Sequence, residues 1–333
     1  MRRIVFVTGG AGFIGSNIVA RLAQDLSLDV VVCDRLREAE LGKWRNIAKH
    51  PVGDVVHPDD MFPWLEKRWQ DVRAIVHMGA VSSTTEPDAD KIVHANFGLS
   101  RDLFRWCADR QRRFIYASSA ATYGAGEQGF ADRDDLASLA ALRPLNAYGW
   151  SKALFDQFAA RQAAREYKPP QWVGLKFFNV YGPNEGHKAS MKSVVAQKWP
   201  DVAAGHAVRL FKSHRNDVED GGQLRDFVYV RDAAAVVAWL LENPQVNGIY
   251  NLGTGQARSF ADLARATLAA AGRDEGAIEY TPMPPAIRDK YQYFTEADMT
   301  RLRAAGYNAP FTSLEDGVAE YVHDYLATPD PYA

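Results

Sequence analysis

The feature that most constrains the fold is a glycine-rich turn at residues 8–15, which reads TGGAGFIG. It joins an apolar run at residues 4–7, which predicts a β-strand, to an amphipathic stretch at about 13–24, which predicts a helix. Glycines spaced in this way let the backbone approach a pyrophosphate closely, and the N–H groups at the helix start attract phosphate charge. The GxxGxxG spacing differs from the GxGxxG of the main fingerprint and alone also suits a plain strand–turn–helix. With its flanking elements, the turn predicts a dinucleotide site.

The chain continues as short apolar runs, which predict strands, alternating with longer amphipathic stretches, which predict helices. They occupy residues 29–33, 74–77, 96–111, 113–117, 148–167 and 172–178. Strands separated by helices of this length indicate an α/β fold with a Rossmann-type, doubly wound parallel sheet. The second half has more loops and predicts a smaller, interleaved C-terminal α/β lobe that binds the substrate. We expect the dinucleotide-binding domain to comprise residues 1–178 and about 225–250, and the lobe to comprise about 179–224 and 251–333.

Charge and composition exclude several classes of partner. The chain has 39 basic and 41 acidic residues, a net charge of −2, which argues against nucleic acid or an anionic membrane as a partner. The N-terminal apolar run is too short for a signal peptide or a membrane span, and the two cysteines form no disulfide framework. His187 has no second ligand at a zinc-like spacing. We therefore expect a cytoplasmic protein without a metal.

An acidic and a basic residue follow the second predicted strand and bear on the choice of dinucleotide. Asp34 stands about where a carboxylate reaches the adenosine ribose in such folds. Arg35 comes next and could instead hold a 2′-phosphate, because a guanidinium matches phosphate geometry. The alternative is that Asp34 is a strand-end cap and Arg35 a solvated charge. We expect NADP as the cofactor, with NAD as the less favoured choice.

A tyrosine and a lysine, Tyr148 and Lys152, stand on one face at the start of a predicted helix. An ammonium near a phenol favours the phenolate and lowers its pKa, so that the phenolate can remove an alcohol proton while hydride leaves the same carbon. Such a pair alone is common in ordinary amphipathic helices. Here it follows a strand end that carries Ser119, at the edge where parallel sheets bind ligands. The order of turn, serine, tyrosine and lysine predicts a catalytic site formed by Ser119, Tyr148 and Lys152.

These motifs, in this order, resemble the extended short-chain dehydrogenase/reductase family of NAD-dependent epimerases and dehydratases. The resemblance covers nearly the whole chain and is carried by TGGAGFIG, by SSAATYG at residues 118–124, by YGWSK at 148–152 and by NLGTG at 251–255. Further segments are similar to those of the family's ADP-heptose epimerases, at residues 77–86, 178–191, 225–230 and 291–295. The stretch EGHK-x-SM at residues 185–191 is the most distinctive of them.

The resemblance implies an epimerisation at C6 of an ADP-heptose, with NADP bound, for synthesis of the lipopolysaccharide core. The C6 alcohol would be oxidised to a transient ketone, which would turn its other face before the same hydride returns. Because the oxygen then lies on the opposite side of the site, a second acid/base is reasonable. The family's two-base assignment places these roles on Tyr148 and Lys188. The resemblance also implies a homo-oligomer, a pentamer in the family.

The family pattern further implies two sets of binding residues. The expected cofactor residues are Gly9, Gly10, Ala11, Gly12, Phe13, Ile14, Gly15, Asp34, Arg35, Lys43, Gly79, Ala80, Ser82, Asn96, Tyr148, Lys152, Val180 and Lys188. The expected substrate residues are Ser119, Asn179, Ser190, Gln197, Phe211, Lys212, Arg225 and Tyr291. The chain departs from the family at Gln197, where a histidine is usual, and in an enlarged loop between His214 and Gly222.

Two other functions compete with this interpretation. One is a different nucleotide-sugar epimerase or a dehydratase of the same family. A dehydratase usually has acidic residues beside the strand-end hydroxyl, and here Ala120 and Ala121 follow Ser119. The other is an NADP-sensing binding protein without activity, which the intact Ser119, Tyr148 and Lys152 disfavour.

Overall fold

The central element is a seven-stranded parallel sheet, which confirms the predicted doubly wound architecture. The computed structural model describes residues 3–36, 42–284, 288 and 292–333. From edge to edge the strands are Gly248–Leu252 (β10), Trp172–Phe177 (β6), Arg113–Ser119 (β5), Val72–His77 (β4), Ile4–Thr8 (β1), Asp29–Cys33 (β2) and Asp54–Val56 (β3). The direction of winding reverses between β1 and β4, where Thr8 pairs with His77. Sheets of this kind bind ligands at the carboxyl ends of the strands beside such a reversal.

Two smaller sheets and a set of helices complete the described structure. One sheet contains Asn179–Tyr181 (β7), Leu224–Tyr229 (β9) and Ala257–Ser259 (β11), and the other contains Val208–Phe211 (β8) and Ile278–Thr281 (β12). The α-helices, α1 to α11 in chain order, are Phe13–Leu22, Met61–Arg68, Ala89–Ile92, Leu99–Asp109, Leu136–Ala141, Ala147–Ala164, Val194–Ala203, Val230–Glu242, Phe260–Ala270, Thr300–Ala304 and Leu314–Tyr321. No helix in the described ranges is long and apolar enough to cross a membrane. The division of the chain into two domains stays a prediction.

The core lies on both faces of the large sheet. In β1, Val5 and Val7 belong to a buried cluster with residues of α8, whereas Ile4 and Phe6 belong to a second cluster with residues of α6. A parallel sheet covered on both faces favours nearly continuous apolar runs in its central strands. This is why the short apolar runs of the sequence are continuous rather than alternating.

The structure corrects several predicted boundaries. α1 ends at Leu22 rather than near Gln24, because the chain turns at the C-cap Ala23. The helix predicted over 96–111 is α4, which ends at Asp109 and is preceded by a π-helix over Val93–Gly98. β3 was not predicted, since three residues are too short to show a period.

Candidate active site

The glycine turn brings separate backbone segments into contact at the carboxyl end of β1. Gly9 has a φ of 63°, and a Cβ there would lie 2.7 Å from the Cα of Gly79. A Cβ on Gly15 would lie 2.1 Å from the carbonyl oxygen of Gly9, so α1 packs directly on the turn. Gly12 precedes α1 without a side-chain hydrogen bond to its first turn, where an anion can bind. The turn therefore has the close backbone approach that a dinucleotide pyrophosphate needs.

Asp34 follows β2, and its nearly buried carboxylate is bonded within the protein. It accepts hydrogen bonds from the N–H of Ala11 at 2.9 Å, from the N–H of Arg35 at 2.7 Å and from the ammonium of Lys43 at 2.5 Å. The guanidinium of Arg35 is about half exposed and pairs with Asp59 at 3.2 Å. Asp34 thus ties the glycine turn to the segment of Lys43, whose ammonium lies beside it.

Tyr148 lies in the first turn of α6, beside the end of β5. The helix begins there because the Asn146 side chain accepts a hydrogen bond from the N–H of Gly149 at 2.8 Å. Tyr148 and Ser119 line the same cavity. Burial raises the pKa of Tyr148, and the nearby Ser119 hydroxyl opposes that shift. The structure therefore brings the predicted serine and tyrosine together.

Lys152 lies one turn further along α6 and is buried. Its ammonium donates to the carbonyl of Ala117 at 2.7 Å. Burial lowers the pKa of Lys152 to about 8, and the carboxylate of Asp156 opposes this shift. The sequence predicted a lowered pKa for Tyr148, but in the protein alone it is raised, because burial outweighs the groups that favour the phenolate.

Lys188 lies on the short 3₁₀ segment Gly186–Met191, against the start of α1. Its Nζ is 5.2 Å from the centre of the Phe13 ring. Burial lowers the pKa of Lys188, and the carboxylate of Glu185 opposes this shift. Ala189 has a φ of 48° and a ψ of −121°, so the segment bends sharply just after Lys188. A lysine with a lowered pKa is suited to proton transfer near neutral pH.

A cavity of about 340 Å³ brings together predicted catalytic and cofactor residues and the predicted substrate residue Asn179. Those that line it are Phe13, Ile14, Ser82, Ser119, Tyr148, Asn179, Val180 and Lys188. Sequence reasoning missed the rest of the lining, which is mostly apolar and consists of Phe177, Phe178, Tyr181, Met191, Lys192, Ser193, Val194, Phe227, Phe260 and Leu263. Phe177 and Phe178 could have been predicted as lining residues, because they lie at the carboxyl end of β6. The cavity is therefore shared by the glycine turn, the strand ends and the second half of the chain.

Other predicted cofactor residues shape the wall next to this cavity. Asn96 is buried, and its side chain accepts from the N–H of Val81 at 2.8 Å and donates to the carbonyl of Val81 at 3.0 Å. The same amide donates to the hydroxyl of Ser151 in α6 at 3.0 Å. Gly79 contacts the glycine turn, and Ala80 beside it is exposed. Asn96 thus fixes the loop after β4 against the helix that carries Tyr148.

The predicted substrate residues are only partly brought together. Ser190 and Gln197 are joined by a hydrogen bond of 3.1 Å from the Gln197 amide to the Ser190 carbonyl, but they do not line the cavity. Phe211 ends β8 and is exposed, as is Lys212. Tyr291 lies outside the described residues.

Arg225 is placed just behind the cavity wall. It is buried in β9 and donates to the carbonyls of Leu224, at 2.8 Å, and of Gln292. Its guanidinium carbon is 5.6 Å from the centre of the Phe260 ring, which lines the cavity. A cation lies close to that part of the wall.

A fully buried ion pair lies next to the end of β5, and it was not predicted from the sequence. The ammonium of Lys176 in β6 lies 2.8 Å from the carboxylate of Asp156 in α6 and donates to the hydroxyl of Thr122 at 2.7 Å. Asp156 also accepts hydrogen bonds from Tyr116 at 3.0 Å and from Ser118 at 2.7 Å. The sequence did contain one sign of this ion pair, because a lysine inside an apolar strand needs a buried partner for its charge. This network holds β5, β6 and α6 together beneath Ser119.

The chain belongs to the NAD dependent epimerase/dehydratase family, which it matches over residues 5–253. Its curated relatives include ADP-L-glycero-D-manno-heptose-6-epimerases. The protein of that name from Nitratidesulfovibrio vulgaris (strain DP4) is 50% identical over 329 residues, 98% of this chain and 99% of the relative. The one from Fusobacterium nucleatum subsp. nucleatum is 44% identical over 336 residues, 99% and 100% of the two chains. The resemblance inferred from the motifs is confirmed.

Solved structures agree with this assignment. The ADP-L-glycero-D-manno-heptose-6-epimerase of Helicobacter pylori superposes with a TM-score of 0.78 at 28% identity, covering 96% of this chain and 95% of that chain. The UDP-glucose 4-epimerase of Thermus thermophilus, in complex with NAD, superposes with a TM-score of 0.72 at 28% identity, covering 95% and 96%. The family is NAD(P)-dependent, and both of these relatives are nucleotide-sugar epimerases.

Proposed function

We propose that this chain interconverts ADP-D-glycero-D-manno-heptose and ADP-L-glycero-D-manno-heptose by transient oxidation at C6. The observation that carries the proposal is the single cavity that Ser119, Tyr148 and Lys188 share with the residues of the glycine turn. Relatives that bear the name of this activity match 98–99% of the chain. The product would feed lipopolysaccharide core synthesis in the cytoplasm.

The residues present fit a dinucleotide. The turn of residues 9–15 would hold the pyrophosphate, because it has no room for side chains at its contact points. Asp34, Arg35 and Lys43 would surround the adenosine, and the two cations among them favour a 2′-phosphate and therefore NADP over NAD. When bound, the cofactor would accept and return a hydride, and the charge of its oxidised ring would favour the phenolate of Tyr148.

Tyr148 would act on the substrate hydroxyl in one of its two orientations. The Ser119 hydroxyl, which lines the same cavity as Tyr148, would hold both the phenol and the C6 oxygen in place. As the phenolate takes the hydroxyl proton, C6 becomes a ketone. Lys152 would orient this corner through its bond to the carbonyl of Ala117, and its low pKa lets it change protonation state near neutral pH.

Lys188 would serve the opposite orientation. Once the ketone has turned its other face, its oxygen points away from Tyr148 and needs a different proton donor. Lys188 lines the same cavity from the segment beyond β7, next to Phe13. As hydride returns to C6, the ammonium of Lys188 would give a proton to the oxygen, and the reverse reaction would exchange the two roles.

The assay is conversion of purified ADP-heptose epimers without added nucleotide. The expected result is interconversion of the two heptose epimers, with UDP-glucose and UDP-N-acetylglucosamine unchanged. Conversion of a UDP-sugar instead would assign a different epimerase activity. Retention of NADP with no conversion of any sugar would support the sensing protein. We also expect a homo-oligomer, a pentamer, which light scattering after size-exclusion chromatography would measure.

A further inference from the structure

The segment that carries Lys188 is closed at both ends by one buried acid, Glu185. The carboxylate of Glu185 accepts hydrogen bonds from the N–H and the hydroxyl of Ser193, both at 2.5 Å, and from the hydroxyl of Tyr321 at 3.0 Å. Its carbonyl accepts the N–H of Lys188 at 3.0 Å. The side chain of Glu185 is buried, with a relative exposure of 1%. A buried carboxylate costs free energy unless it is bonded in this way.

We propose that Glu185 is the positioning residue for Lys188, because its bonds fix the segment around this lysine and its carboxylate supplies the counter-charge. The inference rests on the proposed function, in which Lys188 is the second acid/base. Ser193 caps α7, and Tyr321 lies at the end of α11, so Glu185 anchors the segment to two helices. The segment bends sharply at Ala189, and beyond the bend the Gln197 amide also donates to the carbonyls of Ser190 and Lys192.

The charges around Lys188 explain why an acid is needed. Burial against Phe13 disfavours the ammonium, and the neighbouring His187 and Lys192 are bases rather than acids. Tyr148 and Ser119 line the same cavity and are neutral in their ordinary forms. The charge of Glu185 opposes the effect of burial on the pKa of Lys188. Burial raises the pKa of Glu185 itself, and the bonds from Ser193, the charge of Lys188 and the bond from Tyr321 oppose that shift. Without this charge the lysine would spend less time as the proton donor that one direction of the reaction requires.

The test measures Lys188 directly, so it does not depend on activity. Trace acetylation of the intact protein across a pH series, read by mass spectrometry at Lys188, gives the midpoint at which the amine loses its proton. Glu185→Gln removes the charge and keeps the shape, and the expected result is a midpoint lower by about one pH unit. Tyr321→Phe is the matched control, because it loses one bond to Glu185 and leaves the charge in place, and its midpoint should equal that of the unmodified chain.

An unchanged midpoint in Glu185→Gln would overturn the proposal, as would an equal shift in Tyr321→Phe, which would point to a loosened segment alone. If Glu185→Gln fails to fold, Glu185→Asp is the alternative variant. It keeps the charge, but its side chain is shorter by one methylene. That variant is expected to lower kcat about tenfold with little change in KM, since a misplaced proton donor affects the chemical step. A kcat equal to that of the unmodified chain would refute the positioning role. Full activity of Lys188→Met, together with a shifted Lys188 midpoint in Glu185→Gln, would refute the two-base function and leave the electrostatic pairing of Glu185 with Lys188 in place.

Discussion

In the proposed mechanism, the phenol of Tyr148 removes the proton from the sugar hydroxyl in one of its two orientations. Tyr148→Phe keeps the ring that lines the cavity and removes the hydroxyl that would exchange the proton. Since general acid–base catalysis contributes about 10²–10⁴-fold, kcat is expected to fall by that factor. The measurement is steady-state turnover of ADP-heptose, together with the absorbance of bound nucleotide. Near-normal turnover with the nucleotide retained would remove Tyr148 from the mechanism.

Lys188→Met tests the second acid/base with a side chain of similar length and no charge. Activity is expected to fall by about 10²-fold or more, because only one of the two oxygen positions keeps a proton donor. Nucleotide content should not change, since the glycine turn is untouched. Lys168→Met, at an exposed ion pair with Glu166, is the control for loss of a lysine. Unchanged kinetics in Lys188→Met would leave a mechanism with a single base.

Among the elements, the contact of β5, β6 and α6 depends on the buried pair of Asp156 and Lys176. Both side chains are fully buried, so Asp156→Asn would leave the ammonium of Lys176 without its counter-charge. The expected loss in the free energy of unfolding is about 3–5 kcal/mol. Urea denaturation measures it, and Asp71→Asn, at an exposed pair with Arg68, should change stability little. Equal effects of the two substitutions would show that the buried pair does not hold these elements together.

The junction of β1, β4 and α4 should make the fold sensitive to acid through His77. This buried ring bonds the hydroxyls of Thr8 at 2.6 Å and Ser100 at 2.9 Å. Burial, with a smaller contribution from the charge of Lys152, lowers its pKa from 6.5 to about 3. Between these pH values the unfolded chain binds a proton that the folded chain does not, so stability falls as the pH falls.

The size of that effect can be isolated with a variant. Between pH 6 and pH 4, the free energy of unfolding should fall by about 1 kcal/mol more per pH unit than it does in His77→Gln. His206→Gln, which changes a largely exposed ring, should keep the steeper dependence. Identical pH slopes in the unmodified chain and His77→Gln would contradict the assignment of a neutral, buried imidazole.

At the scale of elements, the sequence predicted what local patterns determine. The apolar run before Gly9 and the helix start at Phe13 follow from residue periodicity, and both are confirmed. The meeting of Ser119 and Tyr148 in one cavity followed from the order of the motifs. The bonds of Glu185 to Ser193 and Tyr321 could not be predicted, because they join residues that come together only after the chain has folded. The raised pKa of Tyr148 could not be predicted either, because burial depends on the surrounding structure and not on the motif.

For the molecule as a whole, the choice of dinucleotide is open to direct measurement. The cations Arg35 and Lys43 beside Asp34 are expected to select NADP. Protein purified without added nucleotide and then denatured should release NADP, identified by chromatography and mass spectrometry. Arg35→Ala should weaken retention of NADP and spare NAD. Release of NAD from the unmodified protein would contradict the assignment.

The central claim is that this chain oxidises C6 of an ADP-heptose and returns the same hydride to its other face. The measurement that tests it most directly uses ADP-D-glycero-D-manno-heptose with deuterium at C6, incubated with the purified chain and no added nucleotide. We predict that ADP-L-glycero-D-manno-heptose forms and keeps its deuterium at C6, as observed by NMR spectroscopy and mass spectrometry. A product that has exchanged this deuterium for solvent hydrogen, or no product at all, would contradict the account.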